Sequence, residues 1–90
     1  MASEDGAGVL RSVAANVRAI RRRRDLTQAA LAERADLEVR QLQRVESGKM
    51  DCGIVALAAI AAALEVPIGR LFRVASLPAP TRGRPRRSSR

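Results

Sequence analysis

Apolar residues recur along this chain at helical spacing rather than at the alternation of a strand. Leu10, Val13, Ala14, Val17 and Ile20 fall 3, 4, 7 and 10 positions along from Leu10, which is the stripe of an amphipathic helix. That helix is expected from about Val9 to Arg24, closed at Asp25 by a left-handed turn. Thr27 then precedes Gln28 to Ala35, a run with no helix breaker. A threonine there can accept a backbone N–H and cap the first turn. Leu31, Ala32 and Ala35 share one face, and the two alanines let another helix approach closely. Asp36 stands where this helix must end, because Asp visits the left-handed region. Leu37 is expected to plug the turn into the core.

The third helix is expected over about Glu38 to Ser47, with Leu42 and Val45 spaced i, i+3 as its seam and Gly48 as its terminator. Ile54 to Leu64 reads IVALAAIAAAL and is a fourth helix, with Ile54, Leu57, Ile60, Ala61 and Leu64 on one face. Its outer positions Val55, Ala58, Ala59 and Ala62 are apolar as well, which hints at a subunit contact. Pro67 opens a fifth helix in a favoured first-turn position. Ile68, Leu71 and Phe72 are its apolar residues. Phe72 is either the last core residue or a dimer anchor.

The stretch LTQAALAERADLEVRQLQRVESGK, residues 26–49, thus pairs two short helices through a tight turn. This is the pattern of a helix-turn-helix. It resembles the lambda repressor and Cro-like regulators, the XRE family of bacterial and phage proteins. Leu26, Thr27, Gln28, Leu31, Ala32, Ala35, Leu37, Leu42, Glu46 and Gly48 carry the resemblance in register. It continues through Ile54, Leu57, Ile60, Ala61, Leu64, Val66, Leu71 and Phe72, covering about residues 13–72 without a gap. Two positions depart from the family pattern: Asp36 replaces its turn glycine, and Glu38 replaces the Ser or Thr cap of the recognition helix.

The resemblance implies an all-α, five-helix lambda repressor-like domain over residues 9–73; residues 1–8, small and acidic, and residues 74–90, rich in Pro, Ser, Gly and Arg, are expected from their composition to be disordered tails. It implies that Arg21 and Glu46 form a buried scaffold ion pair joining the first and third helices. It implies that Gln28 hydrogen-bonds a DNA phosphate at a helix N-terminus. It also implies that Val39, Arg40 and Arg44 face base edges, with Gln43 nearby. Arg40 and Arg44 can each donate two bonds to guanine O6 and N7. Val39 can pack on a thymine methyl, and Gln41 or Gln43 can read adenine or hold phosphate. Glu38 faces phosphate unfavourably unless it accepts from a cytosine amino group. Lys49 is the one basic group of the next loop, where Asp51 repels phosphate and Cys52 is a small loop residue.

Composition narrows the chemistry. The chain has 90 residues, no histidine, one cysteine and one aromatic residue. The commonest general base is therefore missing, and neither a disulfide framework nor a cysteine-rich zinc site can form. With no glycine-rich phosphate loop either, no catalytic residue, metal or cofactor is expected. No apolar run is long enough for a membrane span. The N-terminus is acidic and unlike a signal peptide, so a cytoplasmic, nucleoid-associated place is expected.

The net charge of +8 lies at the two ends. Residues 9–24 hold Arg11, Arg18 and Arg21 to Arg24 without an acid, whereas residues 25–72 balance to −2 from five basic and seven acidic groups. Residues 73–90 add Arg73, Arg82, Arg84, Arg86, Arg87 and Arg90. Such blocks suit either a polyanion or a merely solvated surface. Within the tail, Thr81 to Arg87 reads TRGRPRR. It is either a minor-groove arm, similar to an AT-hook, or a non-specific polycation. The expected partner is double-stranded DNA bound by a homodimer, as in a transcriptional repressor or activator. The same domain serves as an antitoxin or as the control protein of a restriction system. A third reading is a protein-interaction module that has lost its operator.

Overall fold

A computed structural model describes residues 5–74. Four α-helices follow one another: α1 (Gly6–Arg23), α2 (Gln28–Ala35), α3 (Val39–Ser47) and α4 (Ile54–Leu64). A short 3-10 helix, Ile68–Phe72, closes the domain. The described residues contain no strand.

α1 begins at Gly6, three residues before the expected Val9. The Asp5 side chain accepts the Gly8 N–H at 2.8 Å and caps the turn. A cap contributes about 1 kcal/mol, which helps to offset the poor helix propensity of Gly6 and Gly8. Met1 to Glu4 and the tail from Ala75 onward, including Arg82, Arg84, Arg86 and Arg87, lie outside the described residues.

Three helices end in the same way, without glycine. Asp25, Asp36 and Glu65 take φ of 57°, 58° and 63°. The following residue then donates back five positions: Leu26 N to Arg21 O at 3.1 Å, Leu37 N to Ala32 O at 2.8 Å, and Val66 N to Ala61 O at 3.0 Å. This is the Schellman closure, which satisfies otherwise orphaned carbonyls. Left-handed backbone costs a non-glycine residue about 1–2 kcal/mol. The apolar residue after each turn offsets that cost, because Leu26, Leu37 and Val66 all pack against the core. α3 ends differently, on Gly48 at φ 70°. A Cβ there would sit 3.2 Å from Ala14 Cβ and 3.4 Å from Arg11 Cα. Gly48 thus serves the turn and lets the end of α3 lie against α1.

The core joins all five elements. Val13, Val17, Leu31, Leu42, Ile60, Leu64 and Leu71 are its largest fully buried side chains. α1 packs on α3, α4 and the 3-10 helix, and α2 packs on α3 and α4. Small residues permit these close crossings, with Ala32, Ala35 and Ala61 all buried.

In the C-terminal half two expectations are corrected and the core reading of Phe72, one of two left open, is excluded. The fifth helix is a single 3-10 segment rather than an α-helix. Its five residues lie between Pro67, which has no N–H to give, and an extended Arg73; Arg70 N bonds to Pro67 O at 2.9 Å in the tighter i→i+3 pattern. Leu71, not Phe72, is its core residue, with Leu71 at 0% exposure and Phe72 at 36%. On α4, Leu57, Ile60, Ala61 and Leu64 are buried but Ile54 stays 61% exposed. Ile54 opens the helix just after the loop, before α4 reaches the core.

Asn16 holds this last segment. Its side chain is buried on α1, and its Nδ2 donates to Leu71 O at 2.8 Å and to Arg73 O at 2.7 Å. These bonds replace the helical partners that a 3-10 end lacks. Asn16→Ala strands both carbonyls, and each buried unsatisfied group costs about 1–3 kcal/mol. Urea unfolding of the variant is therefore expected to show a loss in that range. A loss below 0.5 kcal/mol, on the order of an exposed substitution, would remove the clamp from the fold.

Candidate nucleic-acid interface

α3 is amphipathic in the sense the sequence required. Leu42, Val45 and Glu46 are buried, whereas Val39, Arg40, Gln41, Gln43 and Arg44 are exposed. The N-terminal half of the helix therefore presents its side chains outward. Among the described residues, the side chains of Arg40 and Arg44 take part in no ion pair and no hydrogen bond; the two ion pairs found there are Arg21–Glu46 and Arg24–Glu65. Two guanidiniums one helical turn apart are thus free to meet an outside acceptor.

Glu38 begins the helix in extended backbone, at φ −74° and ψ 148°. Its backbone N–H is held at 3.0 Å by Gln41 Oε1, the reciprocal bond of a capping box. In the free chain that bond occupies one lone pair of the Gln41 amide oxygen. Its N–H donors and a second lone pair remain open.

The far end of α3 is fixed to α1 by Glu46. Arg21 Nε donates to Glu46 Oε2 at 2.7 Å and Arg21 Nη2 to Glu46 Oε1 at 3.0 Å, a two-point grip. Both side chains are nearly out of solvent, at 11% and 4% exposure. Arg21 Nη1 also donates to Leu26 O at 3.0 Å, tying in the turn before α2. Arg18, one turn earlier, donates to the Glu46 backbone carbonyl. In the sequence Arg18 stood out only as part of a basic block. Its place three residues before Arg21, on the same face, is the signal that marks it as scaffold.

Gln28 continues the network outward. Its Nε2 donates to Glu46 Oε1 at 3.0 Å, and its Oε1 accepts from Gln43 Nε2 at 3.4 Å. One amide N–H of Gln28 and the Gln43 oxygen remain uncommitted. Thr27 caps α2 by accepting Ala30 N–H at 3.0 Å, so this helix end is rigid as well. A path of bonds thus runs from Arg21 through Glu46 and Gln28 to Gln43 on the outer face of α3.

After Gly48, Lys49 is exposed, and its backbone N–H meets Ser47 Oγ at 3.3 Å. Asp51 spends its carboxylate locally, accepting Gly53 N–H at 3.1 Å. Gly53 has φ 81° and ψ 148°, a region that side chains avoid. Cys52 is half-buried. Burial pushes its thiol above the ordinary range, its own backbone bond pulls the other way, and the Asp51 charge adds to the rise. A raised thiol is a poor nucleophile at neutral pH. No group of metal-ligating side chains occurs among the described residues.

Two short helices, the second exposed at its N-terminal half and bolted to α1 at its C-terminal end, match a helix-turn-helix model over residues 17–71. The chain belongs to the lambda repressor-like (XRE) helix-turn-helix family. The match spans more than half of the 90 residues and takes in every element from the second half of α1 to the 3-10 helix. The family is one of helix-turn-helix DNA-binding regulators. No curated protein matches the chain. No described helix is long and apolar enough to cross a membrane.

Proposed function

We propose that this helix-turn-helix protein is a sequence-specific transcriptional regulator that works as a homodimer on near-palindromic DNA in the cytoplasm. α3 enters the major groove N-terminal end first. Arg40 and Arg44 each grip a guanine edge, and Val39 lies against a thymine methyl. Gln43 offers its free oxygen to a base amino group. Gln28 gives its remaining N–H to a phosphate beside the N-terminus of α2. Lys49 and the loop after it follow the backbone, and the arginines at 82, 84, 86 and 87 add salt-dependent affinity.

One observation supports this reading above the others. α1 spends Arg18 and Arg21 on the scaffold, whereas Arg40 and Arg44 are exposed on the recognition helix with no carboxylate partner among the described residues. A face kept only for solubility has no need of an unpaired arginine at each successive turn.

The deciding experiment selects bound sites from random duplexes. The expected result is an enriched motif with two guanine-containing half-sites in inverted repeat, their centres about 34 Å or one helical turn apart. Recovery of unenriched sequence would overturn the proposal and leave a fold without an operator.

A further inference from the structure

The C-terminal end of α1 leaves one cluster of cations unexplained. Arg23 and Arg24 there, with Arg70 of the 3-10 helix, line a cavity of about 280 Å³ whose other walls are Ile20 and Val66. No acid stands in that lining. Among the described residues, the carboxylate within ion-pair reach is Glu65, 3.9 Å from Arg24 and itself 79% exposed, a weak and solvated pairing. The side chains of Arg23 and Arg70 enter no ion pair and no hydrogen bond among the described residues. Attraction to a helix C-terminus accounts for Arg23 and Arg24, but gives no reason for Arg70 to share their cavity. Arg70 is also firmly placed. Its backbone N–H is bonded to Pro67 O, and Asn16 holds the carbonyls of Leu71 and Arg73 just after it.

We propose that this cavity binds the phosphoryl group of a small phosphorylated molecule, at a site separate from the outer face of α3. A terminal phosphoryl group gathers three acceptor oxygens and up to two charges on one centre. That suits guanidiniums arriving from two elements, each offering a planar fork. A carboxylate has one charge and two oxygens, and a phosphate within the DNA backbone carries one charge. Ile20 and Val66 offer the carbon part of the ligand an apolar wall. Position separates the site from the helix-turn-helix. Arg23 follows Arg21 by two residues, about 200° around the helix, and Arg21 is the side chain turned to Glu46 of α3. The site does not depend on the regulator proposed above.

Inorganic pyrophosphate is the probe. It is titrated at constant ionic strength into the full chain labelled with nitrogen-15, each arginine Nε–H being followed by NMR. The signals of Arg23, Arg24 and Arg70 are expected to shift together and saturate with one dissociation constant, whereas Arg40 and Arg44 move without saturating. Arg23→Gln, at an exposed position, and Arg70→Gln should each weaken that binding about tenfold, the worth of one charge-assisted contact, with an unchanged circular dichroism spectrum. Citrate should bind about tenfold more weakly than pyrophosphate. Equal, unsaturating shifts at all arginines would overturn the site, since they report only screening of surface charge. Citrate binding as tightly as pyrophosphate would overturn its preference for phosphoryl groups. A third result would assign the phosphate to DNA and overturn the separate site: no saturable pyrophosphate binding, together with a flatter salt dependence of duplex affinity in the Arg23→Gln, Arg70→Gln double variant.

Discussion

Glu46→Ala is expected to be the most damaging single substitution in the domain, costing about 3–5 kcal/mol. Glu46 is 4% exposed at its side chain and accepts two bonds from Arg21 and one from Gln28. Without it, the Arg21 guanidinium is left in a site 11% open to water with its counter-charge gone. Small domains hold about 5–15 kcal/mol in all, so urea unfolding should begin from a much lower midpoint and the far-ultraviolet helix signal should weaken at 37 °C. Arg21→Ala should cost a similar amount by stranding the carboxylate. The double variant should cost clearly less than the sum, because neither charge is then left alone. A Met at 21 combined with Leu at 46 should restore much of the loss, since buried pairs are often replaceable by apolar side chains. Arg24→Ala provides the contrast: its partner Glu65 is 3.9 Å away and 79% exposed, and such surface pairs contribute little. A Glu46→Ala chain within 1 kcal/mol of the wild type would show that packing alone sets α3 against α1.

The sequence was legible where structure is decided by neighbours along the chain. Thr27, Asp36 and Gly48 bound α2 and α3 where expected, because each end is set by one residue's backbone preference and one local hydrogen bond. Asp25 is left-handed as foreseen. Glu65 does the same and was missed, since a Glu carries no signal for that conformation. The start of α1 was missed for the opposite reason: Gly6 and Gly8 argue against a helix, and only the cap from Asp5 overrides them. The last segment was legible as an element but not as a 3-10 turn, because its geometry depends on Asn16, 55 residues away from Leu71. The roles of the glutamines were the least legible. Gln28, Gln41 and Gln43 carry identical groups, and which atoms are spent is settled by partners across the turn between the helices. A linear reading can place all three near DNA without showing that the Gln41 oxygen accepts the Glu38 N–H.

Replacing Arg40 or Arg44 is expected to have the largest effect on binding with the least effect on the fold. Both side chains are exposed and without partners among the described residues, so helix content and urea midpoint should not move. A bidentate arginine–guanine contact discriminates by about 1–3 kcal/mol, and 1.4 kcal/mol is a factor of ten. Each alanine should therefore lower affinity for the selected half-site by roughly 5- to 150-fold relative to random duplex, and a two-half-site operator counts the loss twice. Lysine at the same positions separates charge from geometry. It keeps the cation and loses the planar fork. Arg40→Lys and Arg44→Lys should thus hold their non-specific affinity and its salt dependence while losing preference at the guanine. The alanine variants should lose the same preference without the flattening of about 0.9 in the slope of log affinity against log salt that losing a phosphate contact would bring. Suppose instead that lysine restores full binding to the selected site, or that alanine weakens selected and random DNA alike. The two arginines would then be held to phosphate, and base reading would have to come from Val39, Gln41 and Gln43.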